Sequence, residues 1–130
     1  MDDGVLEAVA LRWVRRICDR PLPAGLEGVY DAERDEIVLS DRLSPIQRRC
    51  VLAHEISHAR HHDVGGHGDA VTERRADIDA ARILIDMGEY VTAEIVYGGD
   101  VCAMARELTV MPWTVRAYRE WLHDNAAIHR

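Results

Sequence analysis

The sequence predicts an α+β fold: a mostly helical body with a small β-hairpin beside one central helix and a C-terminal helix pair. Two observations predict it. Apolar residues recur at helical spacing over most of the chain, with capping residues at the segment starts. Only Leu26 to Ser40 departs from that pattern, as two short runs either side of the polar turn Asp31-Ala32-Glu33-Arg34-Asp35. At 130 residues the chain reads as a single domain, 1–130, long enough for one core. Its 48% hydrophobic and 30% charged residues exclude a disordered chain.

The elements follow in order. Val5, Leu6, Val9, Leu11 or Trp13, and Ile17 form an approximate stripe and predict a helix over 5–18, ended by Pro21 and Pro23. Leu26–Tyr30 and Glu36–Ser40 predict the hairpin. Ile37, Val38 and Leu39 are consecutive, so the second strand is expected to be buried on both faces. Ser44-Pro45-Ile46-Gln47 is a helix start, with Ser at N-cap, Pro at N1 and Gln at N3, opening a helix over 44–62 on which Ile46, Cys50, Val51 and Ala53 are apolar. The loop Asp63-Val64-Gly65-Gly66-His67-Gly68 leads to a helix over 70–87 with Gly88 as C-cap. A short helix over 91–97 stops at Gly98-Gly99, and Asp100 caps another over 101–108. After a turn at Thr109–Met111, the last helix runs from Pro112 to about 124. Phe is absent, so the core must rest on aliphatics with help from Trp13, Trp113 and Trp121.

No uncharged apolar run approaches the ~20 residues that span a membrane. Met1-Asp2-Asp3-Gly4 is acidic and shows no signal-peptide pattern, so a cytoplasmic location is expected. Cys18, Cys50 and Cys102 are widely spaced without a CxxC pair and read as free buried thiols. Cys50 precedes His54 by one turn and could share its face, although a small core residue is the better reading. The net charge of −7 argues against an extended nucleic-acid surface.

The central helix carries His54-Glu55-Ile56-Ser57-His58, an H-E-x-x-H pentad. One helical turn puts both imidazoles on one face, and Glu55 lies about 100° round from His54. Two neutral imidazoles can bind a divalent metal while the carboxylate between them works on a water, the apparatus of a zinc-dependent hydrolase. With 7 His in the chain, random placement gives such a pentad in roughly 3 chances in 100. The helix start at Ser44 lowers that risk, because the pentad needs a helix to work.

A catalytic zinc usually takes three protein ligands. The downstream candidates are Asp63, His67, Asp69, Glu73, Asp77 and Asp79, with His61 and His62 beside the pentad. Glu73 is preferred, since Glu73, Asp77, Ala80, Ala81 and Leu84 form a stripe that continues into apolar residues. A carboxylate opening a buried stripe has a reason to be there if it meets a cation. The competing reading, a surface charge at a helix N-terminus, stands level on spacing alone. Asp77 could accept from the N–H of a ligand histidine or replace Glu73 as ligand. His61, His62 and His67 read first as solvated loop residues. His67 is also an alternative ligand, or part of a movable lip over the site. Tyr90, Tyr97, Tyr118, His67 and several arginines could stabilise an oxyanion, and the sequence does not choose among them.

Residues 26–87 resemble the ImmA/IrrE family of small metallopeptidases. The resemblance is carried by the hairpin, by Arg48-Arg49-Cys50-Val51-Leu52-Ala53-His54-Glu55-Ile56-Ser57-His58-Ala59, and by the Glu-x-x-Ala-Asp stretch from Glu73 to Asp77. It implies a minimal zincin-like fold with a gluzincin-like His2Glu site: His54, His58 and Glu73 as ligands of Zn2+, with Mn2+ or another divalent ion possible, and Glu55 as general base. It also implies a narrow protein substrate, a helix-turn-helix transcriptional repressor of a mobile element or stress regulon. Ile78-Asp79 departs from the family's usual aromatic and small pair, which affects the expected pocket.

Residues 100–124 also resemble a helix-turn-helix, packed through Ala105, Leu108, Val110, Val115 and Tyr118, with Arg116 and Arg119 placed to face DNA. That segment is formally neutral, so nucleic acid is an unfavoured partner. Three functions are therefore expected in order: a zinc endopeptidase; a metal-containing binding module, such as one half of a toxin–antitoxin or repressor–antirepressor pair; and a DNA-binding regulator through residues 100–124. An edge strand within 26–40 would align an extended substrate.

Overall fold

The computed structural model describes residues 1–64 and 69–128, and the side chains up to residue 125. Among them it is α+β, as expected: helices α1 (Asp3–Ala10), α2 (Pro45–Arg60), α3 (Ala70–Leu84), α4 (Met87–Tyr97), α5 (Val101–Leu108) and α6 (Pro112–Ile128), and strands β1 (Arg16–Arg20), β2 (Gly28–Asp31) and β3 (Glu36–Ser40). Among the described residues no helix is long and apolar enough to cross a membrane.

The predicted helix over 5–18 is corrected. It ends at Ala10, and residues 16–20 form a strand paired parallel to β3, from Arg16 opposite Glu36 to Arg20 opposite Ser40. The pairing is nonlocal and overrides a weak stripe: Val5 and Leu11 are exposed, and Trp13 lies outside the core. β2 and β3 form the expected antiparallel hairpin, turned through Asp35 at φ 55° with Asp31 Oδ1 accepting from the Arg34 N–H at 3.1 Å. The sheet order is β1-β3-β2, and the central strand is buried on both faces. Its one buried acid, Glu36, meets Arg16 Nε at 2.9 Å and Arg20 Nη2 at 2.7 Å. Those charges, chiefly the Arg20 hydrogen bond, hold its carboxyl below the usual range despite burial.

α2 begins as its sequence dictates. The Gln47 N–H donates to Ser44 Oγ at 3.2 Å, and the Ser44 N–H donates to Gln47 Oε1 at 2.8 Å. Ile46 is exposed, but from Cys50 to Ala59 the helix is buried on nearly every side, against α1, α3, β2 and β3. It ends with His62 at φ 51°, which returns the Asp63 N–H to the carbonyl of His58 at 2.9 Å.

Three boundaries differ beyond it. α3 ends at Leu84 rather than 87, because Asp86 accepts from the Glu89 N–H and caps a new helix. α4 therefore starts at Met87 instead of 91, with Gly88 in its first turn rather than at a C-cap. Gly98, at φ 62°, terminates it. α6 runs on to Ile128. α5 and α6 join the core through Met104, Ala105, Val110, Val115 and Tyr118, with Trp113 and Trp121 packed against it. They are tied to α2 and α3: Arg49 donates to the Thr109 carbonyl at 2.8 Å, and Arg74 meets Glu120 and Asp124. Arg116 is exposed. Arg119, expected to face outward, is half-buried and donates to the Gly99 carbonyl at 2.9 Å. Of the three thiols, all free, only Cys50 is fully buried, and Cys102 is exposed.

Candidate metal centre

α2 and α3 bring the two halves of the sequence pattern together. His54 and His58, one turn apart, place their Nε2 atoms 3.1 Å from each other with the rings at 75°. Glu73, in the first turn of α3, sets Oε2 2.9 Å from His54 Nε2 and Oε1 3.1 Å from His58 Nε2. One ligand atom from each of the three lies within 4.8 Å of the others, so the group could hold a metal ion. Ligands bonded tetrahedrally at roughly 2.0–2.1 Å would stand about 3.3 Å apart, close to this spacing.

The outer nitrogens explain why the inner ones converge. His54 Nδ1 is 2.8 Å from Asp77 Oδ1, and His58 Nδ1 is 2.9 Å from Asp63 Oδ2. A carboxylate only accepts, so these partners favour the tautomer with the proton on Nδ1, which is the one that leaves the Nε2 lone pair to a metal ion. Two such lone pairs and a carboxylate are electrically complementary to a cation. Burial works against a charged His54, but the Asp77 hydrogen bond and the charges of Glu55, Asp77 and Glu73 outweigh it and raise its pKa. Burial likewise opposes ionisation of Asp63, yet hydrogen bonds from His58 and Arg75 leave its carboxyl below the ordinary value.

Glu55 is buried at 2% exposure. It borders a cleft of about 340 Å³ lined by Gly25–Gly28, Val51, His54, Asp77 and Trp113. β2 is an edge strand, and its first residue belongs to this wall. A Cβ on Gly28 would sit 2.6 Å from Val51 Cγ1 and 3.2 Å from Glu55 Cγ, so the strand lies on α2 only because that residue has no side chain. Trp113, from α6, stands edge-on to His54 with centroids 6.1 Å apart.

The remaining candidates lie elsewhere. Asp69 caps α3, accepting from the Val71 N–H and Thr72 Oγ1. Asp79 accepts from Ser57 Oγ at 2.7 Å and faces His61 Nε2 at 3.5 Å, so this departure from the family pattern ties α3 to α2. His62 Nδ1 meets the Tyr30 hydroxyl at 3.2 Å. His67 lies outside the described residues. Cys50 is a core residue whose Sγ accepts from the Met111 N–H. Tyr90 donates to Glu94 and Tyr97 to Glu107, and Tyr118 stacks between Tyr90 and Trp121; none of the three lines the cleft.

Sequence reasoning missed Gly28, Trp113 and the pairing of Asp63 with His58. Gly28 carried a readable signal, a glycine inside a strand pattern. Trp113 carried none, because its place depends on how α6 crosses α3.

A family model described as Peptidase M78, IrrE N-terminal-like domain, matches residues 16–97, more than half of the chain. The match takes in β1 through α4, including the pentad and Glu73, and is wider at both ends than the 26–87 of the sequence reading. Among curated proteins no significant match was found.

Proposed function

The chain belongs to the peptidase M78 family, the IrrE N-terminal-like domains, and from that membership we propose a zinc-dependent endopeptidase with a gluzincin-like site. The observation that carries the reading is the convergence of His54, His58 and Glu73, with His54 and the buried Glu55 lining one cleft. His54 and His58 would hold the ion through Nε2, and Glu73 through its carboxylate. When bound, the ion supplies Lewis acidity to a scissile carbonyl and makes its water more acidic.

The chain's own groups do the rest. Glu55 takes the proton of the attacking water on a carboxylate oxygen and delivers it to the leaving amine. Asp77 and Asp63 keep both imidazoles in the tautomer that faces inward. The free edge of β2, beginning at the cleft wall, offers main-chain groups to an extended peptide. Trp113 lines the same cleft and packs edge-on against His54.

The substrate we propose is a helix-turn-helix transcriptional repressor of a mobile element or stress regulon, encoded near this chain. Family membership and a small cleft support a dedicated substrate over general digestion. The zinc-loaded protein incubated with that repressor should give one discrete cut, and none with Glu55→Gln. An intact repressor with metal present would defeat the substrate assignment. If biological activity survives Glu55→Gln, the chain acts by binding its partner.

A further inference from the structure

α3 and α6 frame a second cavity, of about 410 Å³, beside the metal centre. α3 lines it with Glu73, Arg74 and Asp77, and α6 with Trp113, Arg116 and Glu120. These are the three- and four-residue spacings of a single helix face. Asp77 and Trp113 also border the first cleft, which holds His54 and Glu55. Of the residues that could hold a metal, His54 therefore lines the first cavity and Glu73 the second. A peptide cut in its interior has chain on both sides of the scissile bond. The first cleft, with the start of β2 in its wall, accommodates one side. The other side needs its own path away from the centre, and the second cavity is the opening that Glu73 borders.

Five charged side chains line this second cavity, and four of them are engaged. Glu73 faces the two histidine Nε2 atoms at 2.9 and 3.1 Å, and Asp77 Oδ1 is 2.8 Å from His54 Nδ1. Arg74 lies between Glu120, 2.7 Å from its Nε, and Asp124, 2.9 Å from its Nη2. Arg116 is exposed, and its guanidinium has no ion pair or hydrogen bond among the described residues. A divalent ion at the centre would offset Glu73 and Asp77, and Arg74 offsets Glu120. The lining is then left with the positive charge of Arg116. The sequence pointed this residue at DNA, but a lone cation in a cavity beside the centre suits one carboxylate better than a phosphate backbone.

Resting on the peptidase reading above, we propose that this cavity takes the part of the substrate chain that β2 does not align, and that Arg116 selects an aspartate or glutamate there. A guanidinium meets a carboxylate through two parallel N–H donors, which a neutral amide side chain on the substrate cannot match.

The test uses the full zinc-loaded chain and peptide hydroxamates, which anchor on a metal ion without being cut. One series carries a variable residue on the amino side of the hydroxamate and the other on the carboxyl side, so both directions away from the centre are sampled. The variable residue is Asp, Asn or Lys. Calorimetry should show, in one series, Asp bound about tenfold tighter than Asn, the scale of one bidentate charge-assisted pair. That advantage should shrink in high salt. Arg116→Gln should bring the ratio to about one, and Arg116→Glu should favour Lys over Asp. Circular dichroism and metal content should match wild type in both variants, because the side chain is exposed. Equal affinity for Asp and Asn in both series would overturn this proposal alone and leave the metal centre standing. An Asp preference that survives Arg116→Gln would also overturn it, since the carboxylate would then be held by the ion or by Arg74. No binding of any hydroxamate would remove the peptidase reading, and this proposal with it.

Discussion

Gly28 lies directly against Glu55: a Cβ on the glycine would stand 3.3 Å from Oε2 of the carboxylate. The strand that borders the cleft and the buried acid proposed as its general base are thus in contact through a missing side chain. Gly28→Ala should push β2 and α2 apart. The expected loss is about 1–3 kcal/mol of stability, as for an overpacked core site. Peptidase activity should fall by about 100-fold, the scale of a small displacement at a reacting group. Metal content should stay at wild type. Urea titration, turnover and metal analysis together separate this outcome from simple unfolding.

Asp63 and Asp77 should behave alike although only Asp77 lies on α3. Each accepts from an Nδ1 of the histidine pair. Asp63→Ala and Asp77→Ala should each weaken metal binding by about 10–100-fold. Competition against a chromophoric chelator reads this directly. Affinity unchanged in Asp63→Ala would show that the turn at His62 alone orients the His58 ring.

Metal analysis divides the proposed roles. His54→Ala and Glu73→Ala should lose the ion, and Glu55→Gln should retain it while losing turnover. Metal kept by Glu73→Ala would move the third ligand to Asp77 or His67.

Glu36 makes stability depend on pH in a definite sense. Its folded pKa lies below the ordinary 4.5. The contribution is therefore complete above that value and is lost as pH falls through the folded pKa. Glu36→Gln should cost about 1–2 kcal/mol at pH 7, and the difference from wild type should shrink towards zero in acid. Denaturant midpoints at pH 7 and at a series of lower pH values provide the check.

How much of this was written locally varies by element. α2 was readable because Ser44, Pro45 and Gln47 specify its start within four residues, and the pentad's geometry follows from helix periodicity alone. Asp100 and Gly98 marked their boundaries in the same way. β1 was not readable, because Ile17 and Cys18 owe their state to Ile37 and Val38, twenty residues on. The end of α3 turned on Asp86 rather than Gly88, a cap in competition with a cap. In the site, Glu73 and Asp77 lay on a visible stripe, whereas Asp63 reaches His58 only through a left-handed turn at His62 that no local pattern announced.

The sheet order β1-β3-β2 also constrains the sequence of assembly. β2 and β3 are joined by four residues and close a short loop at little entropic cost. β1 leaves the ribosome before either, yet its ladder with β3 cannot form until the hairpin's second strand exists. β1 must therefore wait for β3, and until the two pair that edge of β3 stands open to any other chain that can extend along it.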